Sequence, residues 1–381
     1  MADAARPAAE IDVAIVGGGP AGLATAIGAR LAGLSAVVLD PRLPPIEKAC
    51  GEGLMPDAVA RLAALGVRIP PGESHPLKGI RYLDGDLALE GVFPEGRHGL
   101  GIRRLALHRA LIDRAAALGA DLRFGVTARG LNPRGVETDL GPVAARWVVG
   151  ADGLLSAVRR WAGLDLPAAT PDALRRFGVR RHYRIAPWTS AVEVHWGPAC
   201  EAYVTPISAG EVGVALLWSG SAKGFDDLLA RLPALAARLA GAPPTSRDRG
   251  AGPLLQPVRG VVRGSVALVG DAAGYLDAIT GEGLAVAFHQ AAALVEALKA
   301  GDLRRYAAAH RRIGRLPTIM TRVVLACERR PALRRRVLAA LAAEPALFSR
   351  LLGIHGRILP ARELGLDGAF RLARRLVLRP S

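Results

Sequence analysis

Residues 12–40, DVAIVGGGPAGLATAIGARLAGLSAVVLD, constrain this chain more than any other stretch. Asp12 to Val16 is short and largely apolar, as a parallel strand buried on both faces would be. It runs into Gly17-Gly18-Gly19-Pro20-Ala21-Gly22, and an Ala/Leu-rich helix follows to about Ala32. A second apolar strand, Ala36 to Leu39, ends on Asp40. Strand, glycine turn, helix and a strand closed by an acid form a unit that holds a dinucleotide. Gly17 permits the tight turn, Gly19 leaves the backbone bare for a pyrophosphate, and Gly22 lets the helix pack close to the strand. Pro20 and Ala21 lead into a helix N-terminus that presents free N–H groups and partial positive charge to the phosphates. Asp40, 23 residues beyond Gly17, is placed to accept hydrogen bonds from a ribose diol. An acid there, rather than an arginine, disfavours a 2′-phosphate, so FAD or NAD is expected rather than NADP. The early position of the unit suits FAD.

Composition bounds the rest. The 381 residues suffice for two or three lobes with separate cores. No run of 18 apolar residues predicts a transmembrane helix, and MADAARPAAE lacks the basic start and apolar core of a secretory signal. Cys50, Cys200 and Cys327 are too scattered for a disulfide framework or a metal site, so a cytoplasmic location is expected. The net charge of +16 is concentrated at one end, where residues 301–381 carry 18 Arg against 5 acids. No RNA-binding signature accompanies that excess, so nucleic acid is not an expected partner.

Two later stretches repeat the strand-to-glycine pattern. RWVVGADGLLSAVR (146–159) carries Asp152-Gly153, then Ser156 and Arg159. VALVGDAAGYLDAITGEGL (266–284) carries Gly270-Asp271, then Gly281 and Gly283 ahead of a long Ala-rich helix. With these three ordered motifs, residues 10–300 resemble the flavoprotein monooxygenase and geranylgeranyl reductase superfamily, which shares the fold of aromatic hydroxylases.

The resemblance implies an α/β fold: an FAD-binding Rossmann-like domain of the glutathione reductase and aromatic hydroxylase type, an interleaved antiparallel β substrate domain and a C-terminal helical region. The FAD domain is expected from 10–75, 100–165 and 256–300, the substrate sheet from 76–99 and 166–255, and the basic helical region over 301–381. Asp271 would meet the ribityl chain or the pyrophosphate. The Gly281–Gly283 turn would aim a helix N-terminus at the flavin N1–C2=O edge, where the reduced flavin is anionic. Arg104, rather than its neighbour Arg103, matches an arginine that precedes a helix beside the FAD. Asp152 would contact the cofactor, with turn formation and helix capping the alternative for Asp152 and Ser156.

Lys48-Ala49-Cys50-Gly51-Glu52-Gly53 looks like the Cys-Gly loop of geranylgeranyl reductases and related hydroxylases. Cys50 there is either a substrate or flavin contact or a small buried thiol. The segment 170–255 alternates polar and apolar residues and reads as antiparallel strands covering a substrate. His195, Trp196, Tyr203 and Trp218 are its pocket candidates, with sheet packing the alternative for each. Tyr203-Val204-Thr205-Pro206 keeps only part of an aromatic–Pro motif of the reductases.

The expected function is an FAD-dependent monooxygenase that hydroxylates a hydrophobic aromatic or polyketide-like substrate through a flavin C4a-hydroperoxide. NADH or NADPH would dock transiently, because the chain has no second GxGxxG. An alkene reductase is the alternative. A flavin halogenase and a flavoprotein that modifies a protein-bound residue stand further off. The basic helices read as a cap over the FAD lobe, a membrane-surface contact or a face for an acidic carrier protein.

Overall fold

The strand Ile11–Val16 lies between Ala36–Asp40 and Gly141–Gly150 and runs parallel to both. A strand so enclosed has no solvent face, which is why its sequence is continuous apolar rather than alternating. The computed structural model describes residues 11–167, 171 and 175–365. The first sheet has the order Val262–Arg263, Val266–Leu268, Gly141–Gly150, Ile11–Val16, Ala36–Asp40, Asp121–Phe124, with Ala128–Asn132 and Gly135–Thr138 attached beside Gly141–Gly150. Helices Pro20–Leu31, Arg104–Ala117 and Gly283–Lys299 pack together, and their apolar residues share one core with the sheet.

A second sheet holds seven strands in the order Arg249–Ala251, Arg176–Arg184, Glu211–Ser219, Cys200–Ser208, Ala191–Gly197, Gly79–Asp84, Leu87–Val92. Its pairings are antiparallel except one: Gly79–Asp84 joins Ala191–Gly197 in parallel. The exception follows from connectivity, because strands that arrive from distant parts of the chain need no hairpin. A small sheet of Gly53–Leu54, Gly99–Ile102 and Ser74–Leu77 adjoins it.

The helical end divides its packing. Leu303–Glu328 lies against Gly283–Lys299, as a cap on the first lobe would. Pro331–Ala342 and Pro345–His355 instead cover the edge strand Leu87–Val92 of the second sheet, so the cap spans both sheets and not the first alone. Phe348 fits there because Gly91 has no side chain; a Cβ would lie 2.6 Å from its ring. Beside it, buried Arg334 grips Asp84 through two nitrogens at 2.9 and 3.2 Å. Among the described residues no single helix is long and apolar enough to cross a membrane. Positions 366–381 of the basic region, and position 10 at the start of the first segment, lie outside the described residues.

Candidate functional site

A cavity of about 550 Å³ opens between the two sheets. At one end stand Gly19, Pro20, Ala21, Arg104, Asp152, Gly270, Asp271, Gly281 and Gly283, brought together from four separate segments. The glycines behave as their spacing predicts. Gly17 has φ 114° and lies hard against Ala151, and a Cβ at Gly22 would sit 1.9 Å from the Gly17 carbonyl oxygen. Gly19 alone has open space, its nearest neighbour being an Arg104 nitrogen 3.8 Å from the Cβ site. His108 steadies the turn: Nε2–H donates to Gly18 O at 2.7 Å and Nδ1 accepts from Ile46 N–H.

Two helices end at this cavity without side-chain caps, Pro20–Leu31 and Gly283–Lys299. Their first N–H groups therefore point toward any anion placed there. Arg104 is buried, and its Nε has no hydrogen-bond partner among the described residues. Arg103 turns the other way, to Glu211 at 3.1 Å and to His182. Asp271 also lines the cavity; burial pushes its carboxyl up, opposed by Lys48 and Arg104. An unpartnered buried guanidinium nitrogen, two open helix N-termini and a bare glycine turn together fit an anionic dinucleotide.

Two carboxylates are already engaged. Asp40 accepts from Gly18 N–H at 2.9 Å and from Arg42 through Nε and a terminal nitrogen at 3.1 Å each. A ribose would have to share Asp40 with Arg42, whose side chain is 44% exposed. Asp152 accepts from the Ser156 hydroxyl and from the N–H groups of Ala157 and Val158, so its carboxylate caps the helix Ala157–Trp161.

Beyond Cys50 the cavity runs along the second sheet, past Ile80, Tyr82, Phe93, Val192, Val194, Tyr203, Leu217, Leu254 and Ile279. Of the pocket candidates only Cys50 and Tyr203 line it. Side-chain alternation explains one miss. Val192 and Val194 face the cavity, so His195 points to the other side and meets Glu193 at 3.0 Å. Trp196 is buried under Arg334 and stacked on Tyr82, while Trp218 stacks on Phe177. Tyr203 donates its hydroxyl hydrogen to Ile279 O at 2.5 Å. Burial raises the Cys50 thiol, with Arg104 opposing, so it is a neutral S–H.

Two clusters position the walls. Glu52 is buried at φ 59°, a left-handed conformation uncommon for a side chain of this kind. It accepts from Arg104 N–H at 2.8 Å and from His182 Nε2. His182 Nδ1 faces Arg103, Arg180 and Ser246, and guanidinium groups only donate, so Nδ1 accepts and Nε2 carries the proton. Burial holds this imidazole below its ordinary pKa, with Glu52 opposing. The second cluster is Arg176, which meets Asp277 at 2.8 Å, Glu328 at 3.5 Å and Glu201. Asp277 in turn accepts from Ile279 N–H, which fixes the loop that leads to Gly281. Lys48 and Glu52 were named only as neighbours of Cys50, and His182, Tyr82, Phe93 and Tyr275 were not singled out. The one signal that pointed toward any of them was the acid between glycines in Cys50-Gly51-Glu52-Gly53 and the lysine ahead of it.

The profile of the FAD binding domain family matches residues 10–196. The menaquinone reductase of Mycobacterium tuberculosis is 29% identical over 318 residues, 77% of this chain and 78% of that protein. Digeranylgeranylglycerophospholipid reductase 1 of Methanopyrus kandleri is 29% identical, over 72% of this chain and 76% of the reductase. The 12-dehydrotetracycline 5-monooxygenase/anhydrotetracycline 6-monooxygenase of Streptomyces rimosus is 33% identical, but over 42% of this chain and 34% of its own length. A solved flavoprotein/dehydrogenase from Cytophaga hutchinsonii shares the fold, with a TM-score of 0.80 at 16% identity, covering 96% of this chain and 98% of that one. With an anion-ready cavity in front of the glycine turn and these relatives beside it, the chain carries an FAD-binding domain and is an FAD-dependent oxidoreductase, with FAD-dependent monooxygenases, menaquinone reductase and geranylgeranyl reductases among its homologues.

Proposed function

We propose that this oxidoreductase is a monooxygenase of an uncharged, ring-bearing apolar substrate. The observation behind this reading is the character of the cavity beyond Cys50. Tyr82, Phe93, Tyr203 and Tyr275 line it among aliphatic side chains. Aromatic walls favour a flat ring, and burying a charge against them would be costly. In this reading Gly17, Gly19, Pro20, Ala21 and Gly22 cradle the FAD pyrophosphate with Arg104, and Asp40 meets the ribose. Gly270, Asp271, Gly281 and Gly283 carry the flavin half, while Asp152 shapes the wall through its helix cap. Bound FAD supplies two-electron transfer and, once reduced, the reaction with O₂. The protein's part is to hold the ring in a dry slot, and the Glu52–His182 pair fixes the Cys50 loop that closes it. NADH or NADPH is the proposed reductant, docking from solvent.

Alkene reduction is the second reading. Two observations favour it: relatives matched over more than 70% of the chain are reductases, and Cys50 keeps a proton that a reduction could use. Reduced protein is mixed with an alkylphenol and ¹⁸O₂, and separately with prenylated quinone without oxygen. Label in the product supports the monooxygenase. Saturated product under anaerobic conditions, with no label in the first arm, overturns it in favour of the reductase. We further propose a cytoplasmic protein whose arginine-rich helices meet a membrane surface or an acidic carrier. Liposome and carrier pull-downs at low and high salt test that contact.

A further inference from the structure

The helix Leu303–Glu328 has two unlike faces. Leu303, Tyr306, Pro317, Thr321 and Leu325 are buried against the rest of the molecule. Arg311, Arg312, Arg315, Ile319, Arg322 and Val323 recur at three- and four-residue spacing on the other face, and all six are exposed. None of these four arginines has an acidic partner among the described residues, whereas Arg304 and Arg305 at the start of the helix meet Asp302. The helix carries one acid, Glu328, and it is turned inward to Arg176. Pro317 leaves the Ile313 carbonyl without its helical partner, and Arg357 donates to that oxygen at 2.7 Å, so the helix continues past its proline. Ile319 and Val323 are 49% and 52% exposed, one turn apart in the middle of the charge.

We propose that this face docks on an anionic lipid bilayer. The inference rests on the apolar substrate chamber proposed above, and it commits the contact of the arginine-rich helices to one face and one partner. Arginine stems lie along apolar surface while their heads stay among lipid phosphates, and Ile319 and Val323 enter the acyl boundary between them. A soluble acidic protein would satisfy the arginines but gives two apolar side chains no place amid its carboxylates. The inner face of the same helix meets the chamber wall. The Thr321 hydroxyl lies 3.3 Å from that of Thr280, and Leu325 shares a core with Ile279. A bilayer on the outer face is therefore one helix diameter, about 10 Å, from an apolar chamber.

The test measures co-sedimentation of FAD-loaded protein with vesicles of phosphatidylcholine, alone or with phosphatidylglycerol added, at low and high salt and without substrate. Binding should require phosphatidylglycerol and weaken with salt. Arg315→Gln combined with Arg322→Gln should weaken it about twenty- to thirtyfold, since one arginine near an anionic surface is worth about fivefold. Arg68→Gln combined with Arg134→Gln removes the same charge from exposed sites on the first lobe and should leave binding unchanged. Ile319→Ser combined with Val323→Ser should weaken vesicle binding and leave affinity for soluble polyglutamate unchanged. Failure to bind phosphatidylglycerol vesicles overturns the proposal. So does equal weakening by the two arginine pairs, which would mark net charge alone. A serine pair that binds vesicles as wild type does also overturns it, in favour of an acidic protein. Because no substrate is present, each of these results leaves the chamber reading standing.

Discussion

Glu201→Gln should make this protein's stability markedly less sensitive to pH. Glu201 is fully buried and shares Arg176 with Asp277 and Glu328, so three carboxyl groups compete for one guanidinium. Burial, aided by repulsion from Asp277 and Glu328 and opposed by Arg176, lifts Glu201 to about 8. The unfolded chain releases that proton near the ordinary carboxyl value of 4.5. Between these two values the folded state holds a proton that the unfolded state does not, so stability falls as pH rises. The slope is about 1.4 kcal/mol per pH unit. From pH 6 to pH 8, wild type should lose roughly 2 kcal/mol through this group. Glutamine has no proton to release and keeps an oxygen for Arg176. Urea unfolding of both holoproteins at the two pH values isolates the effect, because every other titrating group is common to them. The variant should gain roughly 2 kcal/mol relative to wild type between pH 6 and pH 8. A difference that stays constant with pH would refute the assignment of a buried, protonated Glu201.

Four other perturbations separate packing from cofactor binding. Gly22→Ala forces a Cβ to within 1.9 Å of a backbone oxygen and should cost about 1–3 kcal/mol in urea unfolding along with the flavin. Gly19→Ala meets nothing closer than 3.8 Å, so it should unfold like flavin-free wild type yet lose flavin, read as absorbance per protein after gel filtration. Arg104→Met should weaken FAD at least tenfold by flavin fluorescence titration, as loss of a buried cation facing a diphosphate requires. Arg334→Met strands Asp84 in the core and should cost about 3–5 kcal/mol in urea unfolding, most of it recovered by adding Asp84→Asn.

Gly17 and Gly22 were legible because the role of each depends on chain it directly touches. Asp40 was half legible: its position showed, but the return of Arg42 onto it, two residues later, is a property of the turn geometry. Asp152 makes the helix cap that was its alternative reading, through Ser156 and the next two N–H groups, and it also lines the cavity. The pocket was the least legible part. Alternation in Ala191–Gly197 marks two faces but not which one the cavity takes, and both faces of that strand are packed. Tyr82 enters through the pairing of Gly79–Asp84 with Ala191–Gly197, where Arg81 meets Glu193 across 112 positions. No local pattern encodes a register between segments so far apart.

The position of Ile11–Val16 at the middle of its sheet carries a consequence for the birth of the molecule. This strand is made before its partners, yet Gly141–Gly150 on one side of it pairs in turn with Val266–Leu268. The opposing helix begins only at Gly283. For most of translation the glycine turn has no facing helix, and the strand beside it has Ala36–Asp40 on one edge while the other waits for Gly141–Gly150. Such distant pairings form slowly and leave strand edges exposed while they do. Flavin therefore cannot nucleate the nascent chain; it arrives late and secures a fold whose two ends have already met. Cells short of flavin should therefore hold this protein as a folded but less stable apoprotein.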